Sequence, residues 1–323
     1  WLGLGRFPTP VQEVHGLGLP LWIKREDLSS PAPGLPGGNK VRKLEPILAA
    51  ALWRGAAAVV TSGARGSNHL LACARYAARL GLGAICVAGP QPPSRAVEES
   101  FAALDACGAR VVPVPWLPLT PLAALALALA GPRRFLVAPG GSGPRGVLGH
   151  LAAGLELGEQ VAAGALPCPE EIYVAAGSGG TLAGLLLGLR LAGLHGVRLC
   201  GVQVVPWPAL SPTLIALECR SALRLLCRMV GGSAPLARLP RPPRPAEIVL
   251  LQDQLGAGYG WPTEEGTAAI SRLEEACGLR LEPTYTGKAL AALLDQAGRR
   301  GSTKPVLFWN SYAGRAAANP GVR

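Results

Sequence analysis

The chain is poor in several things. It has one methionine, four phenylalanines and five tyrosines, and aromatic residues make up 5% of its 323 positions. Charged residues are 16% against 49% hydrophobic, which excludes a solvated disordered chain and implies a large buried interior. Histidine is limited to His15, His69, His150 and His195, and the eight cysteines include no CxxC or CxxH pair, so a clipped metal site is excluded. The cysteines read as small buried apolar residues of a reducing, cytoplasmic protein. The chain opens on Trp1, and no secretory signal pattern follows. Lysine is confined to Lys24, Lys40, Lys43, Lys288 and Lys304, with arginine supplying the rest of the 31 basic residues.

Other absences concern partners. The net charge is +11, yet the arginines are dispersed, dense only at Arg133-Arg134, Arg238 to Arg244 and Arg299-Arg300, with no basic helix or zinc-finger spacing. Nucleic acid is therefore not expected as a partner. Glycine and proline are abundant, at 43 and 31, but follow no three-residue period, which excludes collagen. One uncharged stretch, 111–132, has the length of a membrane span, but Pro113, Pro115, Pro118 and Pro121 interrupt its first half. Thr120-Pro121 reads as a helix start and Gly131 as its end, leaving about eleven residues, too few to cross a bilayer. A buried helix of a soluble protein is expected there.

What is present is an alternation. Apolar, β-branched runs at 57–61, 84–88, 110–113, 135–137, 172–175, 199–205 and 306–309 read as short buried strands, separated by helical runs at 67–80, 94–106, 181–191 and 263–277. This is the pattern of an α/β protein with parallel sheets covered by helices on both faces, and ligands belong at the carboxyl ends of such strands. At about 150 residues per domain the length suits one large or two moderate domains. The segment 231–245, where prolines alternate with arginines, reads as an exposed excursion between helices.

Three glycine-rich turns precede helices: Gly37-Gly38-Asn39-Lys40, Gly63 through Ser67-Asn68-His69, and Gly177-Ser178-Gly179-Gly180-Thr181. Free amides at a helix start bind anions, and the third turn is the best phosphate cup. Two nucleotide motifs fail. Leu182 stands where a dinucleotide fingerprint needs a small residue, with no acidic residue about 20 positions on, and Asn39 and Val41 flank Lys40 where a P-loop needs glycine and serine or threonine. A rare lysine after a glycine turn, combined with a phosphate cup and no nucleotide motif, points to pyridoxal phosphate held through Lys40 as a Schiff base.

These residues belong to longer strings: Phe7-Pro8-Thr9-Pro10, Trp22-Ile23-Lys24-Arg25-Glu26-Asp27, Gly37 through Lys43-Leu44-Glu45, Ser67-Asn68-His69, Gly140-Gly141-Ser142, Gly258-Tyr259-Gly260 and Pro283-Thr284-Tyr285-Thr286-Gly287-Lys288-Ala289. Together they resemble the D-cysteine desulfhydrase and 1-aminocyclopropane-1-carboxylate deaminase family, a branch of the tryptophan-synthase-β-like, fold type II pyridoxal-phosphate enzymes. The resemblance covers nearly the whole chain. It implies a two-domain fold, with a larger cofactor domain from 1–51 and 159–323 and a smaller α/β domain, 52–158, closing over a small amino-acid substrate, and a homodimer.

By the same resemblance Lys40 anchors the cofactor and carries the proton at the substrate α-carbon. Asn68 bonds the cofactor's phenolic oxygen. Ser67, with the amides of Asn68 and His69, holds the substrate carboxylate. Gly177, Ser178, Gly179, Gly180 and Thr181 cup the phosphate, Tyr259 and Tyr285 face the substrate, and Ser311 keeps a hydroxyl for the pyridine nitrogen. Thr286 stands where ring-opening deaminases carry glutamate; a neutral hydroxyl makes the ring a weaker electron sink, which suits β-elimination of a good leaving group. The resemblance therefore implies a lyase converting D-cysteine, or a similar β-substituted amino acid, to pyruvate, ammonia and hydrogen sulfide, with the deaminase, or a relative diverged in substrate or activity, as alternatives. Two positions depart from the family: Gly66, where a glutamine usually precedes Ser-Asn-His, and Tyr312, where a glycine is usual.

Overall fold

A computed structural model of the chain describes residues 1–231 and 239–312. Two sheets organise it. The larger has six strands, β1 (Val11–Val14), β2 (Leu21–Arg25), β10 (Val306–Asn310), β7 (Glu171–Ala176), β8 (Arg198–Gln203) and β9 (Val249–Leu251), in that spatial order. The smaller has four, in the order β5 (Arg110–Pro113), β4 (Gly83–Gly89), β3 (Ala58–Ala64) and β6 (Arg134–Leu136). All neighbouring strands pair in parallel except β1 with β2 at an edge. The helices are α1 (Asn39–Trp53), α2 (Asn68–Arg79), α3 (Arg95–Asp105), α4 (Thr120–Leu129), α5 (Pro144–Ala162), α6 (Gly180–Leu191), α7 (Pro212–Met229), α8 (Glu264–Cys277) and α9 (Thr286–Arg299). The smaller sheet is drawn from one continuous stretch, and the larger from both ends of the chain.

Both central strands of the larger sheet are buried along their whole length, and successive side chains serve opposite faces. Ile172, Val174, Ala176, Leu307 and Trp309 pack with α5, α6 and α7, whereas Tyr173, Ala175, Val306 and Phe308 pack with α8 and α9. The seven strands read from the sequence are all present within one to three residues of those positions, and so are the four helices. The helix at 120–129 is present too, but it is not buried. Thr120 and Ala124 are buried, and Ala123, Leu127 and Ala128 pack partly buried on the core of the smaller sheet, while Leu122, Leu125 and Leu129 are exposed. The sheet covers one face of the helix and leaves the other to solvent. No helix among the described residues is long and apolar enough to cross a membrane. Of the segment 231–245, residues 232–238 lie outside the described part.

Because the strands run parallel, their carboxyl ends gather at one side of each sheet, and the glycine turns lie there. β3 leads into Ser67 and α2, β7 into Gly177 and α6, and β10 into Ser311. Glycines set the close approach of the supporting helices. Gly154 of α5 lies against Gly188 of α6, where an added Cβ would come within 2.8 Å of the opposing Cα. Pro46 inside α1 has no N–H for the Arg42 carbonyl four residues back, and that carbonyl lies in the space a side chain at Gly149 would occupy.

Candidate active site

Gly38, at φ +78°, turns the chain into α1, so that Lys40 opens the helix. The turn is fastened on two sides: the Asn39 amide donates to the Ser311 carbonyl at 3.0 Å, and Asn39 Nδ2 donates to Thr181 Oγ1 at 3.1 Å. Those two bonds place Lys40 between the end of β10 and the first turn of α6. Burial, then the neighbouring Lys43, pull the Lys40 amine well below the ordinary lysine value, with Glu282 acting against them. A lysine in that state offers a neutral amine, which is what a nucleophile or base needs.

Beyond β7, Gly179 takes φ +86° and caps α6, whose first residues are Gly180 and Thr181. The Gly180 amide donates to Ser142 Oγ at 3.3 Å, and Ser142 Oγ donates in turn to Ser178 Oγ at 2.7 Å. The cup therefore presents an amide that takes an oxygen. Lys43, fully buried one turn along α1 from Lys40, donates to the Gly140 carbonyl at 3.2 Å, and Gly140 lies directly against the Ser178 side chain. Burial lowers the Lys43 amine to about 8, against the opposing pull of Glu218. Glu218, from α7, lies beside Gly180 with one carboxylate oxygen buried and without a hydrogen bond, and burial raises its carboxyl above the usual range.

On the other side Ser67 caps α2, its hydroxyl accepting the His69 amide at 3.2 Å. The Asn68 amide, first of the helix, is left without an intrahelical partner. The His69 amide, expected to face a substrate carboxylate, is thus already bonded to Ser67. Its ring is buried, Nε2 lies 2.8 Å from Thr61 Oγ1, and burial followed by Lys40 and Lys43 keeps it neutral.

Tyr285 and Tyr259 meet edge to face, with ring centres 5.9 Å apart and the Tyr285 hydroxyl donating to that of Tyr259 at 2.8 Å. Burial raises both phenols, Tyr285 the more, and the pair keeps its protons at neutral pH. The Tyr285 ring comes within 3.2 Å of where a side chain at Gly177 would begin, so the pair borders the phosphate cup. Glu282 holds this corner: its carboxylate accepts the amides of Thr284, Tyr285 and Thr286 at 2.7–2.8 Å, ahead of α9. Thr286 is fully buried, and its hydroxyl is turned back on Glu282, at 3.2 Å from Oε1. Lys288 donates to the Leu255 and Gly258 carbonyls and fixes the loop that carries Tyr259.

The turn that carries Lys40, the start of α6 and the Tyr259–Tyr285 pair thus come from distant parts of the chain to lie beside one another, joined through Asn39, Thr181, Ser311 and Gly177. Lys43, Glu218 and Glu282 were missed by the sequence reading. A cup of helix-start amides with a buried lysine beside it, and a second lysine with a depressed amine, fit the phosphate and the aldehyde carbon of pyridoxal phosphate. Among the described residues no three His, Cys, Asp or Glu side chains gather as metal ligands would.

A family model described as "Pyridoxal-phosphate dependent enzyme" matches residues 2–311, so the chain belongs to the pyridoxal-phosphate-dependent enzymes, and its cofactor is pyridoxal phosphate. Within them it is a member of the D-cysteine desulfhydrase and 1-aminocyclopropane-1-carboxylate deaminase branch. It is 35% identical over 305 residues to a D-cysteine desulfhydrase of Klebsiella pneumoniae, covering 89% of this chain and 85% of that protein. It is also 35% identical over 319 residues to the nocardicin C-9' epimerase of Nocardia uniformis subsp. tsuyamanensis, covering 96% and 91%. A solved homologue of 1-aminocyclopropane-1-carboxylate deaminase superposes with a TM-score of 0.79 at 30% identity, over 97% of this chain and 91% of that one. A fungal L-serine ammonia-lyase from Rhizomucor miehei, at 18% identity and a TM-score of 0.64, shares the fold.

Proposed function

We propose that the protein is a lyase that removes the β-substituent of D-cysteine, or of a similar β-substituted amino acid, giving pyruvate, ammonia and, from cysteine, hydrogen sulfide. The observation that carries this reading is Thr286: where a ring-opening deaminase would bring a carboxylate, this chain buries a hydroxyl and commits it to Glu282. The cofactor, when bound, supplies the electron sink that acidifies the substrate α-carbon. Lys40, whose depressed amine is free to accept a proton, anchors the cofactor and takes the α-proton. Ser67 and the Asn68 amide orient the substrate carboxylate, and Asn68 also reaches the cofactor's phenolic oxygen. Gly177 to Thr181 and Lys43 hold the phosphate, while Thr286 and Ser311 line the pyridine end. The protonated Tyr285–Tyr259 pair can deliver a proton to the departing sulfur.

In this reading 52–158 closes on 1–51 with 159–323, with α5 running across the boundary, and the active form is a homodimer, which sedimentation would check. The test is the ketoacid formed when cofactor-loaded protein is offered D-cysteine and 1-aminocyclopropane-1-carboxylate in parallel. Pyruvate from D-cysteine, abolished in Lys40→Ala, is expected; 2-oxobutyrate from the ring substrate would overturn the use made of Thr286. A second reading, epimerisation, is favoured by the similarity over 96% of the chain to an epimerase and by the hydrogen-bonded phenols, which can return a proton to the α-carbon. It predicts α-deuterium incorporation with inversion and no ketoacid.

A further inference from the structure

Gly66 carries no side chain, and the space where one would stand is not empty. A Cβ there would lie 2.8 Å from Val97 Cγ2 and 3.1 Å from Gln91 Oε1. Gln91, on the loop between β4 and α3, accepts the Gly66 amide through Oε1 at 3.1 Å. Its Cγ and Nε2 lie 3.3 and 3.4 Å from where a side chain at Gly260 would begin, and Pro92 packs on the same spot. Gly260, at φ +86°, follows Tyr259. One side chain therefore touches both the loop that carries Ser67 and Asn68 and the loop that carries Tyr259.

The amide orientation follows from the bond it makes. With Oε1 committed to the Gly66 N–H, the group left over is the Nε2 donor, and among the described residues nothing accepts from it. An unpaired donor held between the loop that carries Ser67 and the loop that carries Tyr259 matches the carboxylate that every amino-acid substrate has. We infer that Gln91 is a substrate-recognition residue, donating through Nε2 to the substrate α-carboxylate. Gly66 and Gln91 then act together: the bare glycine lets Gln91 Oε1 reach the Gly66 amide, and a side chain at 66 would press on Gln91 Oε1 and on Val97.

The inference rests on the amino-acid reading above, and its test separates the two. Alanine has no β leaving group, so it binds the loaded enzyme without elimination, and ethylamine is its counterpart without a carboxylate. The binding of D-alanine, L-alanine and ethylamine is followed by the cofactor absorbance band in the wild type, Gln91→Ala and Gln91→Glu. Gln91→Glu keeps the acceptor for Gly66 and lacks the donor. Both variants are expected to bind the preferred alanine about 10-fold or more weakly, the loss of a hydrogen bond to a charged group, with ethylamine unchanged. KM for D-cysteine should rise with kcat nearly constant. Alanine affinity retained in either variant, or alanine and ethylamine weakened equally, would overturn the inference and leave the functional reading standing. Wild type that binds neither alanine sinks both.

Discussion

If the start of α6 holds the phosphate as proposed, Lys43 sets the pH range in which it does so. Its amine is lowered to about 8 by burial, with Glu218 opposing and a neutral His69 nearby. Below that value the lysine is a cation and attracts the anion; above it the attraction fades, while a bound phosphate pulls the titration upward. Affinity of the cofactor-free protein for inorganic phosphate should therefore fall as pH rises from about 8.3 to 10, above the range in which phosphate itself titrates. Calorimetry would show a steep dependence in the wild type and a flat, weak one in Lys43→Met. At this scale the sequence exposed Lys40, because a rare lysine after a glycine turn is visible in the letters. Lys43 was quoted in the same string without a role, since its meaning comes from Gly140, Ser178 and Glu218, far away along the chain.

At the scale of elements, the placing of the cup depends on how closely α6 lies on α5. Gly180, Gly184 and Gly188 recur every four residues on one face of α6, and α5 meets them with Gly154 and, at His150, a side chain pressed on Gly184. Gly188→Ala would put a methyl 2.8 Å from the Gly154 Cα and against the Leu151 carbonyl. Backbone cannot yield as a side-chain tip can, so a loss of about 1–3 kcal/mol is expected, read as a lower denaturant midpoint with weakened cofactor retention. Unchanged stability would mean that the helices are not held by this contact. The parallel strands were legible because their apolar runs are short and bounded by turns. β2 was not read, since Lys24 and Arg25 look like surface residues, and α5, rich in glycine, carries a weak helical signal. Each owes its conformation to neighbours.

For the whole molecule, one buried ion network ties the N-terminal segment, β2, α1 and α5 together. Glu156 accepts from Lys24 at 2.5 Å, from Arg42 at 2.9 Å and from the Thr9 amide at 2.9 Å, and Arg42 also pairs with Glu26 at 2.8 Å. Burial alone would raise the Glu156 carboxyl, but Arg42 and Lys24 hold it below the ordinary carboxylate value. A carboxyl depressed in the folded state contributes stability above its unfolded value and loses it as pH falls through the folded one. Glu156→Ala leaves the buried Lys24 without its carboxylate partner and Arg42 with Glu26 alone, and should cost about 3–5 kcal/mol at neutral pH in denaturant unfolding. The gap between wild type and Glu156→Gln should narrow as the solution is acidified; a gap independent of pH would contradict the network's charge.

The sequence by itself determined the family and the alternation of strands and helices, and it singled out Lys40 and the Gly177–Thr181 turn as candidates, because each is a local pattern: a residue type next to a turn, or an apolar period. The tertiary structure alone decided which charges are matched in the interior, that the Thr286 hydroxyl is spent on Glu282, and that Gln91 stands where Gly66 leaves room. The charge pairs and Gln91 join groups far apart in the chain, and the Thr286 bond to a residue four positions back depends on how the turn ahead of α9 folds; each is settled at about 3 Å, where hydrogen bonds and excluded volume act.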